Sequence, residues 1–431
     1  MLKSIFKQIL NRKRSNSWMV TELFLVFCLT WYIADFLFVL NCNYSLPNYR
    51  DVRHTWAVML AQYPENHPLH RADENGGEAA EANYARILQT IRTYPGVEAV
   101  SVSFDYCEPG TGSFSEYSLR TPEDSNRFVS GQMVTLDPRE DFFRVFGYTA
   151  NRGKTPVSTA DFDWANTNGI VLGRSTAEQL WPDCPAAGKE LYLDDTRNYT
   201  VLGVVDDTKR FDYERPQNVY YRPRQLDSTS LRSATVSVRS KAAVPDDVFR
   251  EAFGKEMANR LPAGNFYLKE IRSYGEIAEI SKTQLGVAND IRQRTFLMIF
   301  FLLNILLCVT GTFWYRIHAR REEIGIRKAM GSSNSHIRNI LLTEGLCLLT
   351  LAMLPALVVE ANLVYAGLIE TFGTGMGNTG TAVYLPDRTA LRFLITNGIT
   401  WLIMAAVIVA AIRLPARKAA AMPPADALHY E

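Results

Sequence analysis

A segment between positions 320 and 331 is dense in charged side chains that could bind a partner. Its cations and acids can pair with a partner, its apolar side chains recur at helical spacing, and its glycines permit close approach or a helix end. The sequence predicts a docking element for another protein, although basic residues that only enforce topology and touch lipid head groups stay open as the alternative. The residues concerned are Arg320, Arg321, Glu322, Glu323, Ile324, Gly325, Ile326, Arg327, Lys328, Met330 and Gly331.

A second set of reactive side chains consists of acids inside apolar runs, namely Asp35, Glu344 and Glu360, with Glu22 near the start of the first run. A carboxylate at membrane depth costs a few kcal/mol, so it usually has a partner or a role. A proton relay needs several such groups at one depth, and the second and fourth runs hold none. Interface or capping roles are therefore favoured over a relay.

Signals for catalysis are weak. Residues 147–155 resemble a phosphate-binding loop but have one residue too many between the glycines. His67 and His70 form an isolated pair without nearby carboxylates, and neither an HExxH pair nor a Gly-x-Ser-x-Gly elbow occurs. We expect a non-catalytic chain with no cofactor or metal of its own and no nucleic-acid partner.

Four apolar runs must position these residues, and about 20 apolar residues suffice to cross a bilayer. The first could be a cleaved signal peptide, but it is long and no small-x-small site follows it. Cys42 invites a lipoprotein interpretation, but Asn41 stands where a small residue is expected. An uncleaved anchor is favoured. The expected membrane helices cover residues 19–40, 295–315, 339–369 and 391–412.

Basic residues predict the orientation, because Lys and Arg concentrate in cytoplasmic connections. They cluster in the amino-terminal segment 1–18, the connection 316–338 and the tail 413–431. The loop 370–390 holds one basic residue. We therefore expect a protein of the cell (inner) membrane with both termini cytoplasmic and the large insertion 41–290 outside.

The insertion mixes helical and strand-like segments, which predicts an α+β domain. The expected fold class is a multi-pass α-helical membrane protein with four transmembrane helices and a large α+β extracytoplasmic domain between the first and second. Predicted helices cover 81–93 and 175–181, and predicted strands cover 97–104, 169–172, 199–205 and 235–238.

The end of the insertion, about 267–294, shows apolar residues at spacings of three to five and leads directly into the second apolar run. This pattern predicts a stalk helix continuous with the membrane helix. Such a helix could carry mechanical displacement, or it could be a simple amphipathic tether.

These residues and this topology resemble the MacB/FtsX-like permeases of ABC transporters. The segment REEIGIRKAMG at 321–331 is similar to the family's cytoplasmic segment after the second span, and PARKAAAMPPADAL at 415–428 is similar to its usual ending. Three segments are similar to its periplasmic core domain, and a fourth fits the same domain: NGIVL at 168–172, AAGKEL at 186–191, YTVLGVVDD at 199–207 and DFFRVFG at 141–147.

The resemblance implies a permease subunit that works with a cytoplasmic ABC ATPase, which binds the ATP. Since only about 18 residues precede the first run, the ATPase is expected on a separate polypeptide. A second permease subunit, identical or related, and a periplasmic or outer-membrane protein are further expected partners, besides membrane lipid. The alternative is an FtsX-like regulator or scaffold for an envelope protein or cell-wall enzyme. A sensor or adhesin without ATPase would leave the 320–331 pattern unexplained.

Overall fold

The computed structural model describes residues 13–111, 115–123, 128–165, 168–193, 197–367 and 389–421. The chain divides into two compact units. The first, called here the membrane unit, comprises Met1–Cys42 and Asn289–Glu431. The second, called the inserted domain, comprises Asn43–Ala288. The predicted amino-terminal segment, the loop 370–390 and the tail 413–431 lie partly or largely outside the described residues.

Within the described residues the α-helices follow one another along both units. They are α1 (Lys13–Ser45), α2 (Gly77–Arg92), α3 (Phe142–Val145), α4 (Arg174–Leu180), α5 (Asp246–Arg260), α6 (Tyr274–Gln284), α7 (Val287–Ala319), α8 (Arg321–Ala329), α9 (Asn334–Tyr365) and α10 (Thr389–Ala421).

The strands all belong to the inserted domain. They are β1 (Thr55–Gln62), β2 (Val97–Phe104), β3 (Ser115–Arg120), β4 (Phe128–Leu136), β5 (Thr149–Ala150), β6 (Thr155–Pro156), β7 (Gly169–Gly173), β8 (Glu190–Leu193), β9 (Arg197–Val205), β10 (Val219–Pro223), β11 (Ala234–Ser240) and β12 (Phe266–Ser273).

Four helices, α1, α7, α9 and α10, are long and apolar enough to cross a membrane. Helices α1, α7 and α10 extend beyond both ends of the runs from which they were predicted, whereas α9 begins before its predicted run of 339–369 and ends at Tyr365. Their facing sides form one apolar cluster that includes Phe27, Ile305, Leu348 and Ile412. The predicted fold class, four membrane-spanning helices with a large mixed domain between the first and second, is confirmed.

The inserted domain is built on a ten-stranded sheet with the order β10-β7-β9-β8-β3-β4-β2-β11-β1-β12. The pairs β7–β9 and β10–β4 are parallel, and the other pairs in this sheet are antiparallel. Helices α2 and α5 bury Tyr84 and Phe253 in a core with β1, β2 and β11. A second core, rich in aromatic residues, forms around Phe142 and Phe143 of α3.

The expected stalk helix over 267–294 is wrong. Phe266–Ser273 forms the edge strand β12, and the helix α6 begins only at Tyr274. Ser273 starts this helix, because its hydroxyl accepts a hydrogen bond from the Glu276 amide at 3.1 Å. The helix ends before Gly286, whose φ of +77° favours glycine. A separate helix, α7, starts at Val287, so no continuous helix runs through this segment.

Candidate functional site

The predicted docking segment forms the short helix α8 and a tight turn into α9. Gly331 takes a φ of +91°. Its amide donates to the Lys328 carbonyl at 2.9 Å, and the Ser332 amide donates to the Arg327 carbonyl at 3.0 Å. This is the bonding of a Schellman motif, which gives Gly331 its role as a helix end. Ser333 then caps α9 by accepting from the His336 amide at 3.2 Å.

Helix α8 has a buried side and an outward side. Ile324 and Gly325 are buried, whereas Ile326 is 50 % exposed and Met330 is 75 % exposed. On the helix surface Arg327 Nη2 lies 2.8 Å from Glu323 Oε1, one turn away. The described helix therefore combines an attachment side with an outward surface that carries both apolar and charged groups.

A buried ion cluster attaches α8 to its neighbours. Arg316 Nη1, near the end of α7, donates to Glu344 Oε1 at 3.1 Å. Arg320 directly precedes α8, and its Nη1 donates to Glu344 Oε2 at 2.9 Å. All three side chains are less than a tenth exposed. One carboxylate on α9 thus binds two guanidinium groups and fixes the α7–α8 corner against α9.

This cluster corrects one expectation. Arg320 was predicted to face a partner, but its side chain is 9 % exposed and bonds to Glu344 within the membrane unit. The Glu344 side chain is 5 % exposed and accepts hydrogen bonds from both cations. Burial of these groups is tolerable because the charges are paired. The Glu344 carboxylate therefore joins α9 to the end of α7 and to the residue before α8.

Close helix packing surrounds the cluster. Gly345, next to Glu344, faces α10, and a Cβ added there would lie 2.4 Å from Ile412 Cδ1 and 3.0 Å from Ile408 Cγ2. Phe313 of α7 would be 3.5 Å away. A small residue lets the three helices approach closely, as is common between membrane helices. The position of Glu344 is thus set by rigid packing.

The other predicted intramembrane acids lie away from α8. Asp35 on α1 accepts from Arg392 on α10, with Nε 2.9 Å from Oδ1 and a second bond from Nη2 to Oδ2. Beside this pair, Trp31 Nε1 donates to Thr396 Oγ1 at 3.0 Å. Glu360 on α9 is fully buried, and its two carboxyl oxygens have no hydrogen bond within the described part of the chain.

In the inserted domain, the segment that resembled a phosphate loop is a β-hairpin formed by β5 and β6. The Asp206 carboxylate accepts hydrogen bonds from two backbone amides of this hairpin, Arg152 N at 2.8 Å and Gly153 N at 2.7 Å. Arg174 Nη2 also donates to Asp206, at 2.8 Å. These three donors hold the pKa of Asp206 below its usual value against the opposing effect of burial. The amides that would hold a phosphate are therefore bound to a carboxylate of the chain.

Two residues central to this geometry were missed by sequence reasoning. Arg316 was interpreted only as one of the basic residues that set the orientation in the membrane. Arg392, at the start of the last apolar run, was not considered. The signal that could have found both is charge matching, since a buried acid inside an apolar run often pairs with a cation from another helix. Within the described residues, no group of three or more His, Cys, Asp or Glu side chains could hold a metal ion.

Two family models match successive parts of the chain, the first in the inserted domain and the second in the membrane unit. Residues 50–251 match the MacB-like periplasmic core domain. Residues 295–423 match the FtsX-like permease C-terminal region. Together they match well over half of the sequence, and the chain belongs to the MacB/FtsX-like family of ABC transporter permeases. It is therefore a membrane protein with an extracytoplasmic domain. No curated protein compared with the chain matches it.

Three solved structures are similar to part of the chain. The periplasmic region of MacB from Actinobacillus actinomycetemcomitans is 16 % identical with a TM-score of 0.31, over 53 % of this chain and 93 % of that one. The extracellular domain of the noncanonic ABC-type transporter YknZ from Gram-positive bacteria is 15 % identical with a TM-score of 0.29, over 50 % and 100 %. A domain of a putative permease protein from Porphyromonas gingivalis is 16 % identical with a TM-score of 0.31, over 52 % and 92 %. Likeness at this level supports no statement about function.

Proposed function

We propose that this subunit couples ATP hydrolysis by a separate cytoplasmic ATPase to movement of the inserted domain, for export or mechanotransmission. Helix α8 is the docking element in this proposal. The observation that supports this proposal best is the Glu344 cluster, which attaches the start of α8 to α7 and α9. On the outward side of the same segment, Ile326 and Met330 stay exposed.

The clamp gives α8 the mechanical property that a coupling element needs. Removing one partner of a buried ion pair typically costs about 3–5 kcal/mol, so the cluster resists separation. A displacement of α8 would therefore move the ends of α7 and α9 rather than bend the connection. Helix α7 continues the chain directly from the inserted domain, which gives the displacement a covalent route outward.

The outward surface of α8 suggests how the ATPase would be recognised. Met330 and Ile326 would enter an apolar groove, since exposed apolar side chains near the centre of an interface carry much of its binding energy. Arg321 and Lys328 would pair with acids at the rim. The Glu323–Arg327 pair lies on the surface and is worth at most about 1 kcal/mol by itself, so it is open to rearrangement on docking.

The remaining parts of the proposal follow from the family and from the basic residues. Both termini and the 316–338 connection lie in the cytoplasm. A second permease subunit, identical or related, pairs with this one, and an envelope protein or outer-membrane partner contacts the inserted domain. The chain itself holds no cofactor, because the ATP is bound by the ATPase.

Co-purification tests the proposal. The tagged full-length chain is extracted gently from its native membrane, and recovered proteins are identified by mass spectrometry. We expect a P-loop ATPase in near-equal amount, and at least about tenfold less of it with Ile326→Glu, because a charge would be buried in the groove. Ser335→Glu places the same charge at an exposed site of the same connection and should retain the ATPase.

Two outcomes would oppose the proposal. Equal ATPase recovery with Ile326→Glu and Ser335→Glu would remove α8 as the docking element. Recovery of envelope proteins with no ATPase would favour the regulator or scaffold function instead.

A further inference from the structure

Two neighbouring strands of the inserted domain separate within the sheet. Strands β1 and β11 pair from Thr55–Arg239 to Val58–Val236, and the pairing stops there. Yet β1 continues for four more residues to Gln62, and β11 begins two residues earlier at Ala234. On its other side β1 stays paired with β12, and β11 stays paired with β2. The sheet is therefore split between β1 and β11 over this stretch.

A cavity of about 540 Å³ occupies the split. It is lined by both diverging strands, by Tyr84 of α2 and by Tyr274 and Ile277 of α6. Its lining includes Met59, Ala61, Tyr84, Glu108, Ala234 and Lys269. The size falls within the range of roughly 300–1,000 Å³ that is typical of ligand sites.

Two buried polar groups reach this cavity. The Tyr84 hydroxyl is buried and has no hydrogen-bond partner within the described residues. A polar group bound in the cavity would give this hydroxyl a hydrogen bond and so remove the cost of its burial. Glu108 is 2 % exposed and accepts from Ser103 Oγ at 2.7 Å, and burial raises the pKa of its carboxyl.

The lining of the cavity includes two exposed cations and one residue with an unfavourable backbone conformation. Arg232 and Lys269 are exposed lining residues, and Lys269 is the unpaired residue at the irregularity where Met59 pairs with Glu270 and Leu60 with Leu268. Tyr106, another lining residue, has a φ of +54°. Non-glycine residues take positive φ at a cost, and such positions cluster at binding sites.

We propose that this cleft binds an extended peptide segment of another protein, which adds as a strand beside β1, buries apolar side chains in the cavity and sets a carboxylate against Arg232 and Lys269. Edge strands without a sheet partner are templates for such strand addition. An apolar small molecule would fill the volume but would leave the strand edges unused. The inference does not depend on the proposed coupling role of α8.

Photo-labelling of the intact chain in lipid nanodiscs tests this proposal. The probe is the blocked peptide acetyl-Val-benzoylphenylalanine-Val-Asp, and labelled sites are mapped by mass spectrometry. We expect saturable labelling within 57–62 or 231–235 that is competed by the peptide with phenylalanine in place of the photoreactive residue. Ala61→Phe fills the cleft and should reduce labelling about tenfold, whereas Ala187→Phe, at an exposed site near β8, should not change it.

Arg232→Glu combined with Lys269→Glu should weaken labelling by the acidic peptide and spare labelling by its asparagine counterpart. Labelling that Ala61→Phe leaves unchanged would place the peptide elsewhere and overturn the proposal. Absence of saturable labelling would also overturn it. Loss of labelling to excess decanoate, without competition by the unlabelled peptide, would show that the cleft takes an apolar acid instead.

Discussion

Arg392, at the start of the last membrane helix, donates from Nε to Oδ1 of Asp35 on the first membrane helix at 2.9 Å, and both side chains are almost completely buried. The two residues are 357 positions apart in sequence. The pair joins α1 to α10 within the membrane unit, and Trp31 and Thr396 add a second hydrogen bond between the same helices. It fixes the register of these helices.

Breaking this pair should destabilise the membrane unit strongly. Asp35→Asn leaves the Arg392 cation buried with a weaker partner, and we expect a loss of roughly 3–5 kcal/mol. The double variant Asp35→Leu and Arg392→Leu removes both charges and should recover most of the loss. Retention of folded protein after heating, measured by size-exclusion chromatography of the intact chain, compares the variants. A double variant less stable than Asp35→Asn would contradict the account.

The Glu344 cluster should control the mobility of α8. Glu344→Ala leaves two buried guanidinium groups without their shared carboxylate, so the helix should detach from α9. We expect amide hydrogen exchange across 321–330 to accelerate at least about tenfold. Glu323→Ala removes an acid from a half-exposed pair on the same helix and should have a much smaller effect. Equal acceleration in both variants would count against the clamp.

Gly345 should be intolerant of a larger side chain. Gly345→Ala introduces a methyl group in close conflict with Ile412 and Ile408, and we expect a stability loss of about 1–3 kcal/mol. Gly398→Ala, in α10, is the matched control because, apart from its own helix backbone and chain neighbours, no described part of the chain lies within 4 Å of the added methyl group. Thermal stability of the two intact variants in the same detergent provides the measurement. A Gly398→Ala loss as large as that of Gly345→Ala would refute the packing argument.

Glu214 should make the stability of the inserted domain depend on pH. Burial raises the pKa of its carboxyl to about 7, against the opposing effect of Arg210. A carboxyl with a raised pKa binds its proton more tightly in the folded state. Stability therefore falls as pH rises from about 4.5 to about 7, by up to about 3 kcal/mol, and is level above that.

The variant Glu214→Gln removes this titration. Its unfolding temperature, followed by tryptophan fluorescence of the intact protein, should rise relative to the unmodified chain more at pH 8 than at pH 5. Comparison of the two proteins at each pH cancels the contributions of other titrating groups. A difference independent of pH would show that Glu214 titrates normally.

Local patterns predicted two helices and four strands of the inserted domain, fewer than half of the elements described there. The predicted strand over 97–104 coincides with β2, and the predicted helix over 175–181 is α4 shifted by one residue. These succeed because strand alternation and a proline stop are properties of neighbouring residues. The four membrane helices were likewise evident, because predominantly apolar runs of about 20 residues or more are typical of helices that cross a bilayer.

What escaped prediction depends on contacts between distant residues. The pattern over 267–294 looked helical because apolar residues at similar spacing recur across an edge strand and a helix, and the break at Gly286 depends on one positive φ. Nothing local distinguishes Arg320, which is buried, from Arg321 beside it. The split between β1 and β11 is seen only in how far each strand pairs with its neighbours, which sequence spacing does not encode.

Site-specific cross-linking would show directly whether the α8 surface contacts an ATPase. Benzoylphenylalanine is placed at Met330, which is 75 % exposed beside α8, or at Tyr365, which is 94 % exposed at the far end of α9. Cells producing each variant are irradiated, and the cross-linked partners are identified by mass spectrometry. We expect a P-loop ATPase attached at position 330 and none at position 365. An ATPase attached at position 365, or none at position 330 when the ATPase co-purifies, would contradict this expectation.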